Sequence, residues 1–414
     1  MGYVNLRYKP SKNDLVCSFR VEPNHISYSK AAEAIAEESS IGTWTDLKTM
    51  KPSIQKIGAK VFEIHGNWIK IAYPSELFEN GNMPQIMSSI GGNIFGMKAL
   101  NKLRLEDIKW PENIMKSFMG PKFGIQGVRK ILKIKDRPLV GTIVKPKLGL
   151  SSKQHAKVAY EAWIGGLDLV KSDENLTSQK FNRFENNVKE CLKMRDKAEQ
   201  KTGERKIYVP NVTAETKEMI RRAKLVEKEG GKCAMIDIIT TGWSALQTLR
   251  NEGLNLILHG HRAGHGAFTR GNHGISMLVV ADIARLLGID QLHIGTVVGK
   301  MIGEREEVLH IEDEIEKKFV KEGEHTLEED WGNIKPVFAI CSGGLHAGLV
   351  SKLIKLLGKN IIIQAGGGIH GHPKGTKAGA LAMRQALEAT LENITLKEYA
   401  KEHKELMIAL KKWS

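Results

Sequence analysis

From about residue 126 onward the chain repeats one pattern, a short apolar run of strand character followed by a longer amphipathic stretch. The runs fall at 139–144, 167–170, 207–209, 234–239, 254–258, 291–294, 337–340 and 361–364. Helical patterns fill the gaps, for example at 156–163, 217–229, 275–287 and 378–391, and a terminal helix is expected over 396–413. Strands that alternate with helices pair in parallel, because each helical crossover brings the chain back in the same direction. Eight such units are the number that closes a (β/α)8 TIM barrel, which takes ~250 residues. The seventh unit is delayed by a charged insert at 304–332, expected to be a solvated helical excursion. Upstream, strand-like runs at 14–21 and 60–64 mix with helical patterns at 30–38 and 75–78. The expected fold is α/β, with a smaller N-terminal α+β domain over 1–125 and a C-terminal barrel with a terminal helix over 126–414.

A chain of 414 residues supports two domains of this kind. No apolar run nears the ~20 residues of a membrane span. The opening Met1-Gly2-Tyr3-Val4-Asn5-Leu6 carries neither a signal-peptide pattern nor a myristoylation motif, so a cytoplasmic protein is expected. Cys17, Cys191, Cys233 and Cys341 are widely spaced and form no C-x-x-C pair, which argues for reduced, buried thiols. The net charge of +15 comes from 62 basic and 47 acidic residues. These bases are scattered, without an aromatic-interleaved basic tract. The pattern points to a solvated surface and an anionic small substrate, and away from nucleic acid.

Barrel active sites assemble at the C-terminal ends of the strands, and reactive residue types gather there in this sequence. Strand one ends in Lys145-Pro146-Lys147, strand two in Lys171-Ser172-Asp173-Glu174, and strand five runs into 259–265, which holds His259, His261, Arg262 and His265. Strand six carries His293 and leads to Lys300; strand seven ends in Ser342-Gly343-Gly344; strand eight ends in Gln364 and then Gly366-Gly367-Gly368. Any one of these alone is more simply a surface lysine, a solvated turn or a tight turn. Six at equivalent positions call for a site. Gly343, Gly344, Gly366 and Gly367 offer backbone N–H groups to a phosphate at the loops where barrels usually bind one. Arg262 with His293 supplies a second anion site, and two separated sites imply a bisphosphate. Asp173 and Glu174 are hard oxygen donors suited to Mg²⁺. Lys171, two residues before Asp173, faces the same side; its amine, if deprotonated, can add CO₂ and offer a carbamate oxygen as a third donor.

These runs resemble the ribulose bisphosphate carboxylase large subunit, in the archaeal form. The match covers 141–150, 165–175, 259–265, 295–300 and 366–368, and reaches back to Glu38-Ser39-Ser40-Ile41-Gly42-Thr43-Trp44 and Gly92-Asn93-Ile94-Phe95-Gly96. Ile294 after His293, the turn Leu345-His346-Ala347-Gly348, Ile369 and the compact length depart from the plant form toward the archaeal one.

The resemblance implies that Lys171 is carbamylated by an activating CO₂ and holds Mg²⁺ with Asp173 and Glu174. It implies that Lys145 and Lys147 transfer protons, with Lys145 delivering the last one, and that His261 handles substrate hydroxyl protons. Arg262, His293 and Ser342 would hold one phosphate of ribulose 1,5-bisphosphate. Thr43, Trp44, Gly344, Gly366 and Gly367 would hold the other, with Gly343 and Gln364 also in the substrate-binding set. Glu38 and Asn93 would arrive from a neighbouring subunit, and Lys300 would polarise CO₂. O₂ would compete with CO₂. A homodimer or an assembly of dimers is implied, without a small subunit, and a place in nucleotide (AMP) salvage. The rival expectation is a related enolase or isomerase acting on a sugar phosphate without fixing CO₂. A zinc or di-metal hydrolase fits less well, because its H-x-H belongs on strand one rather than strand five. His265, His370 and His372 are open to structural roles, favoured for the last two.

Overall fold

The computed structural model describes residues 2–298 and 305–413. The chain divides into two units, one of Met1–Gly120, Gly264–Leu287 and Lys317–Ile334, the other of Pro121–Ala263, Gly288–Glu316 and Lys335–Ser414.

The first unit is built on a five-stranded sheet in the order Gly274–Ile275, Leu100–Lys109, Asp14–Pro23, Trp68–Pro74, Lys60–His65. Its long strands pair antiparallel, and Gly274–Ile275 joins Leu100–Lys109 in parallel. The helix Tyr28–Glu38 begins at Ser27, whose hydroxyl accepts the Lys30 N–H, and buries Ala31, Ala32, Ile35 and Ala36. The 75–78 segment is a short 3-10 turn, Ser75–Leu77. The insert is only half the expected helical excursion. Arg305–Glu316 is helical, whereas Phe319–Val320 and Glu329–Asp330 form a two-stranded hairpin. Trp331, fully buried in the first unit, gives that part of the insert an apolar anchor.

The second unit holds the eight-stranded parallel barrel. Its strands are Leu139–Ile143, Leu169–Lys171, Ile207–Val209, Cys233–Asp237, Ile257–His261, Gln291–Gly295, Phe338–Ser342 and Ile361–Gln364. Neighbours in the chain are neighbours in the sheet. The barrel closes between strands three and four, where Met235 N–H donates to Pro210 O at 2.8 Å and Val212 N–H to Met235 O at 2.9 Å. Leu139, Leu169, Ile207, Met235, Ile257, Ile340 and Ile362 point inward and pack with Ile125, Val128 and Leu132 of the helix Gly124–Leu132. Two buried carboxylates tie the N-terminal strand ends together. Asp168 pairs with Arg137 at 2.7 Å and accepts the Val140 N–H, while Asp290 pairs with Arg250 at 2.7 Å and accepts the Leu258, Phe123 and Gly124 N–H groups.

Strand boundaries differ from the sequence pattern in informative places. Strand five starts three residues later than expected and absorbs His259-Gly260-His261, so both histidines lie in the strand and not after it. Strand four stops at Asp237 and gives way at once to the short helix Ile238–Thr241. The terminal segment breaks into Leu396–Tyr399 and Lys404–Trp413. All four cysteines are buried and unpaired. Among the described residues no helix is long and apolar enough to cross a membrane.

Candidate active site

Alternation along the strands places the reactive side chains. Leu169 belongs to the interior cluster, so Lys171 two residues on faces the same interior near the barrel's C-terminal end. The same step leads from Met235 to Asp237, from Ile257 to His259 and His261, from Ile340 to Ser342, and from Ile362 to Gln364. One inward layer therefore carries the polar groups that the sequence scattered over more than 190 positions.

Lys171 is 1% exposed, and its Nζ lies 3.2 Å from Ser172 O, 3.3 Å from Met235 Sδ and 3.7 Å from Glu174 Oε2. Burial lowers its pKa below the ordinary lysine value, and the attraction of Glu174, Asp173 and Asp237 does not restore it. Burial acts to raise Glu174, but Lys171 and His261 outweigh it and hold the carboxyl below its ordinary range. Asp173, also 1% exposed, meets Lys145 Nζ at 2.6 Å, and Lys147 Nζ donates to Asn175 Oδ1 at 3.1 Å. Asn211, at the end of strand three, donates to Glu174 O at 2.9 Å and steadies the carboxylate turn. Asp173 and Glu174 are adjacent hard donors, and Lys171 ends beside them. As a carbamate it would complete a three-oxygen set of the kind Mg²⁺ accepts.

His261 lies between two carboxylates, with Nδ1 2.9 Å from Asp237 Oδ1 and Nε2 3.6 Å from Glu174 Oε2. The Ala263 N–H also reaches Nδ1, at 3.2 Å, so that side of the ring is held by the fold while Nε2 faces the carboxylate cluster. Asp237 is a site residue that the sequence reading did not single out. Its signal was there, a carboxylate at the true end of strand four, hidden by the apolar Ile238-Ile239 that follows.

His293 Nδ1 is 2.8 Å from Ser342 Oγ, and its ring stands edge-on to His261 with centroids 4.7 Å apart. Burial pulls the neighbouring Arg262 down to about 10, which leaves it cationic at neutral pH. Gly343 and Gly344 have φ of 117° and 71°, a backbone that only glycine adopts without strain. Gly343 and Gly344 follow the end of strand seven, and Gly366 and Gly367 open the turn after strand eight. Gly368 is needed for another reason, since a Cβ there would strike the Leu345 carbonyl oxygen where the two glycine turns pack together. Both amide atoms of Gln364 are buried without a partner among the described residues.

In the first unit, Asn93 Nδ2 donates to Glu38 Oε1 at 3.5 Å, so two residues far apart in sequence share one exposed edge. Thr43 and Trp44 lie in the loop after Glu38, with Trp44 88% exposed. Lys300 lies outside the described residues. The other histidines are held by the fold. His265 Nδ1 meets Thr269 Oγ1; His370 bridges Ile143 O and Thr376 Oγ1; His372 donates to Glu405 O and accepts from the Lys374 N–H.

A (β/α)8 barrel whose inward polar layer sits at the C-terminal strand ends is the frame of a barrel enzyme. Residues 124–413 match the model of the ribulose bisphosphate carboxylase large chain catalytic domain, and residues 2–114 that of its N-terminal domain. A ribulose bisphosphate carboxylase of Methanocaldococcus jannaschii is 53% identical over all of both chains, and one of Pyrococcus abyssi is 49% identical over all of this chain and 96% of its own. Among solved structures, the dimeric archaeal Rubisco of Hyperthermus butylicus superposes with a TM-score of 0.94 at 49% identity, covering 99% of this chain and 98% of that one. The octameric Rubisco of Pyrococcus horikoshii gives 0.92 at 48% identity, over 99% and 96%. The chain belongs to the ribulose bisphosphate carboxylase large-chain family, a family of carboxy-lyases.

Proposed function

We propose that the protein adds CO₂ to the enediolate of ribulose 1,5-bisphosphate and, with one water, yields two molecules of 3-phosphoglycerate. The observation that carries this reading is Lys171, a buried amine with lowered pKa beside two carboxylates. A lysine held as ammonium repels a cation; one that is easily deprotonated can take up CO₂ and become an anionic ligand. Lys171 as carbamate, Asp173 and Glu174 would hold Mg²⁺. When bound, that ion supplies electrophilic polarisation of the substrate's oxygens.

The remaining steps fall to the chain's own side chains. A base in the strand-two cluster takes the proton beside the ketone, and His261, fixed by Asp237, relays substrate hydroxyl protons. Lys145, already in the cluster through Asp173, donates the final proton to the product carbanion, and Lys147 assists proton transfer. Arg262, His293 and Ser342 hold one phosphate. Gly343, Gly344, Gln364, Gly366 and Gly367, with Thr43 and Trp44, hold the other. Glu38 and Asn93, paired in the first unit, serve the barrel of a second copy, so a homodimer is the smallest active form. The dimeric and octameric assemblies of the two archaeal relatives support this. Lys300 polarises the incoming CO₂. The same enediolate carbon reacts with O₂ as a competitor. Substrate supply from nucleotide salvage follows from the archaeal form that the sequence resembles, and four unpaired buried thiols suit the cytoplasm.

Activation tests this reading. Formation of 3-phosphoglycerate is expected only after preincubation with both CO₂ and Mg²⁺, and Lys171→Ala is expected to be inactive and to bind Mg²⁺ weakly. Full activity in that variant contradicts the carbamate role.

A further inference from the structure

Gln291, His259, His293 and Ser342 form one line of hydrogen bonds across barrel strands five, six and seven. Gln291 Oε1 is 2.9 Å from His259 Nδ1, the two Nε2 atoms of His259 and His293 are 3.0 Å apart, and His293 Nδ1 is 2.8 Å from Ser342 Oγ. Gln291 and His259 are fully buried and His293 is 3% exposed. Burial holds both imidazoles well below their ordinary pKa, so each is neutral, with one N–H and one bare nitrogen.

A line of neutral rings has a direction. Only one proton fits between the two Nε2 atoms, and whichever ring carries it fixes the other end of both rings. If the Gln291 carbonyl oxygen accepts from His259 Nδ1–H, then His293 Nε2–H points at His259. His293 Nδ1 must then take the Ser342 hydroxyl hydrogen, and Ser342 shows a ligand only lone pairs. If the amide is turned by half a rotation, its N–H donates to His259 Nδ1 and every bond reverses. His293 Nδ1–H then donates to Ser342 Oγ, and the hydroxyl hydrogen is free to face a bound anion. The heavy atoms occupy the same places in both arrangements.

With the oxygen toward His259, Gln291 Nε2 is buried without a partner among the described residues, so both its hydrogens are orphaned there. The half-turn satisfies one of them and leaves the carbonyl oxygen bare instead, and a bare carbonyl is the lesser cost. We propose that Gln291 donates to His259 and that this pair, as positioning residues, aims the Ser342 hydroxyl hydrogen at the anionic group of the substrate. The inference rests on the phosphate placement proposed above for Arg262, His293 and Ser342.

Two measurements test it. Neutron diffraction from deuterated wild-type crystals soaked in inorganic phosphate is expected to show deuterium on His259 Nε2 and His293 Nδ1. Deuterium on His259 Nδ1 and His293 Nε2, or on both nitrogens of either ring, overturns the proposal. In steady-state kinetics, Gln291→Leu and Gln291→Glu are expected to raise KM for ribulose 1,5-bisphosphate about tenfold while kcat changes little, the loss of roughly one hydrogen bond to a charged group. Gln291→His, which can again donate to His259, is expected to restore KM. A variant set in which KM is unmoved, or kcat alone falls, contradicts the role. The diffraction result stands apart from carboxylase activity, so it decides the hydrogen-bond direction even if the reaction assignment fails.

Discussion

His155 and His370 show what it takes to keep imidazoles inside a barrel protein. His155 is 2% exposed, and burial, aided by the charge of His370, pulls it down to about 4. Burial does the same to His370, which also falls to about 4 although its bond to Ile143 O works the other way. In the unfolded chain both titrate near 6.5. Between pH 4 and pH 6.5 the unfolded state therefore binds more protons than the folded one, and stability falls as pH falls through that window. Above it their contribution is flat. In urea unfolding followed across this range, His155→Gln is expected to flatten the slope by about 1.4 kcal/mol per pH unit, one proton's worth. An unchanged slope would mean that His155 is protonated in the folded protein. At this scale the sequence was partly legible. Lys171, Asp173 and Glu174 could be read because a lysine and two carboxylates at a strand end are conspicuous. Asp237 and Gln291 could not, because each acts through a partner that only the closed barrel brings within reach.

Among the elements, the eight strands were readable from apolar runs bounded by glycine and charge, and their number alone constrained the topology. Their ends were less so. Strand five was misread because His259-Gly260-His261 reads as a polar turn, whereas in a closed barrel the C-terminal part of a strand still faces inward and there carries polar groups. The terminal helix Lys404–Trp413 was expected as a helix, but its contacts were not foreseeable. Trp413 stacks on His346 at 5.7 Å between centroids, Lys412 reaches Gly371 O, and His372 donates to Glu405 O. The helix thereby braces both glycine turns. Trp413→Ala removes the stack without touching a proposed substrate contact. It is expected to raise KM for ribulose 1,5-bisphosphate a few-fold and to cost about 1–3 kcal/mol of stability as a partly buried aromatic is lost. A KM equal to wild type in a folded variant would show that the glycine turns hold their shape without the helix.

For the whole molecule, the proposed division of labour puts Glu38 and Asn93 on one copy and Lys145 and Lys171 on another. Asn93→Ala and Lys145→Ala are each expected to be inactive alone. Mixed and reassembled, they are expected to recover part of the activity, because one of the two sites in a mixed dimer draws both mutations and the other neither. No recovery despite demonstrated subunit exchange would argue that each copy supplies its own complete site. The more direct question is whether carbon is fixed at all. Wild-type protein preincubated with CO₂ and Mg²⁺ should be given ribulose 1,5-bisphosphate and ¹⁴C-labelled CO₂, and its products separated. The expected result is two molecules of 3-phosphoglycerate for each bisphosphate consumed, with one label shared between the two. Consumption of the bisphosphate into an unlabelled isomer, with no labelled 3-phosphoglycerate, would contradict the carboxylase assignment and leave an enolising relative in its place.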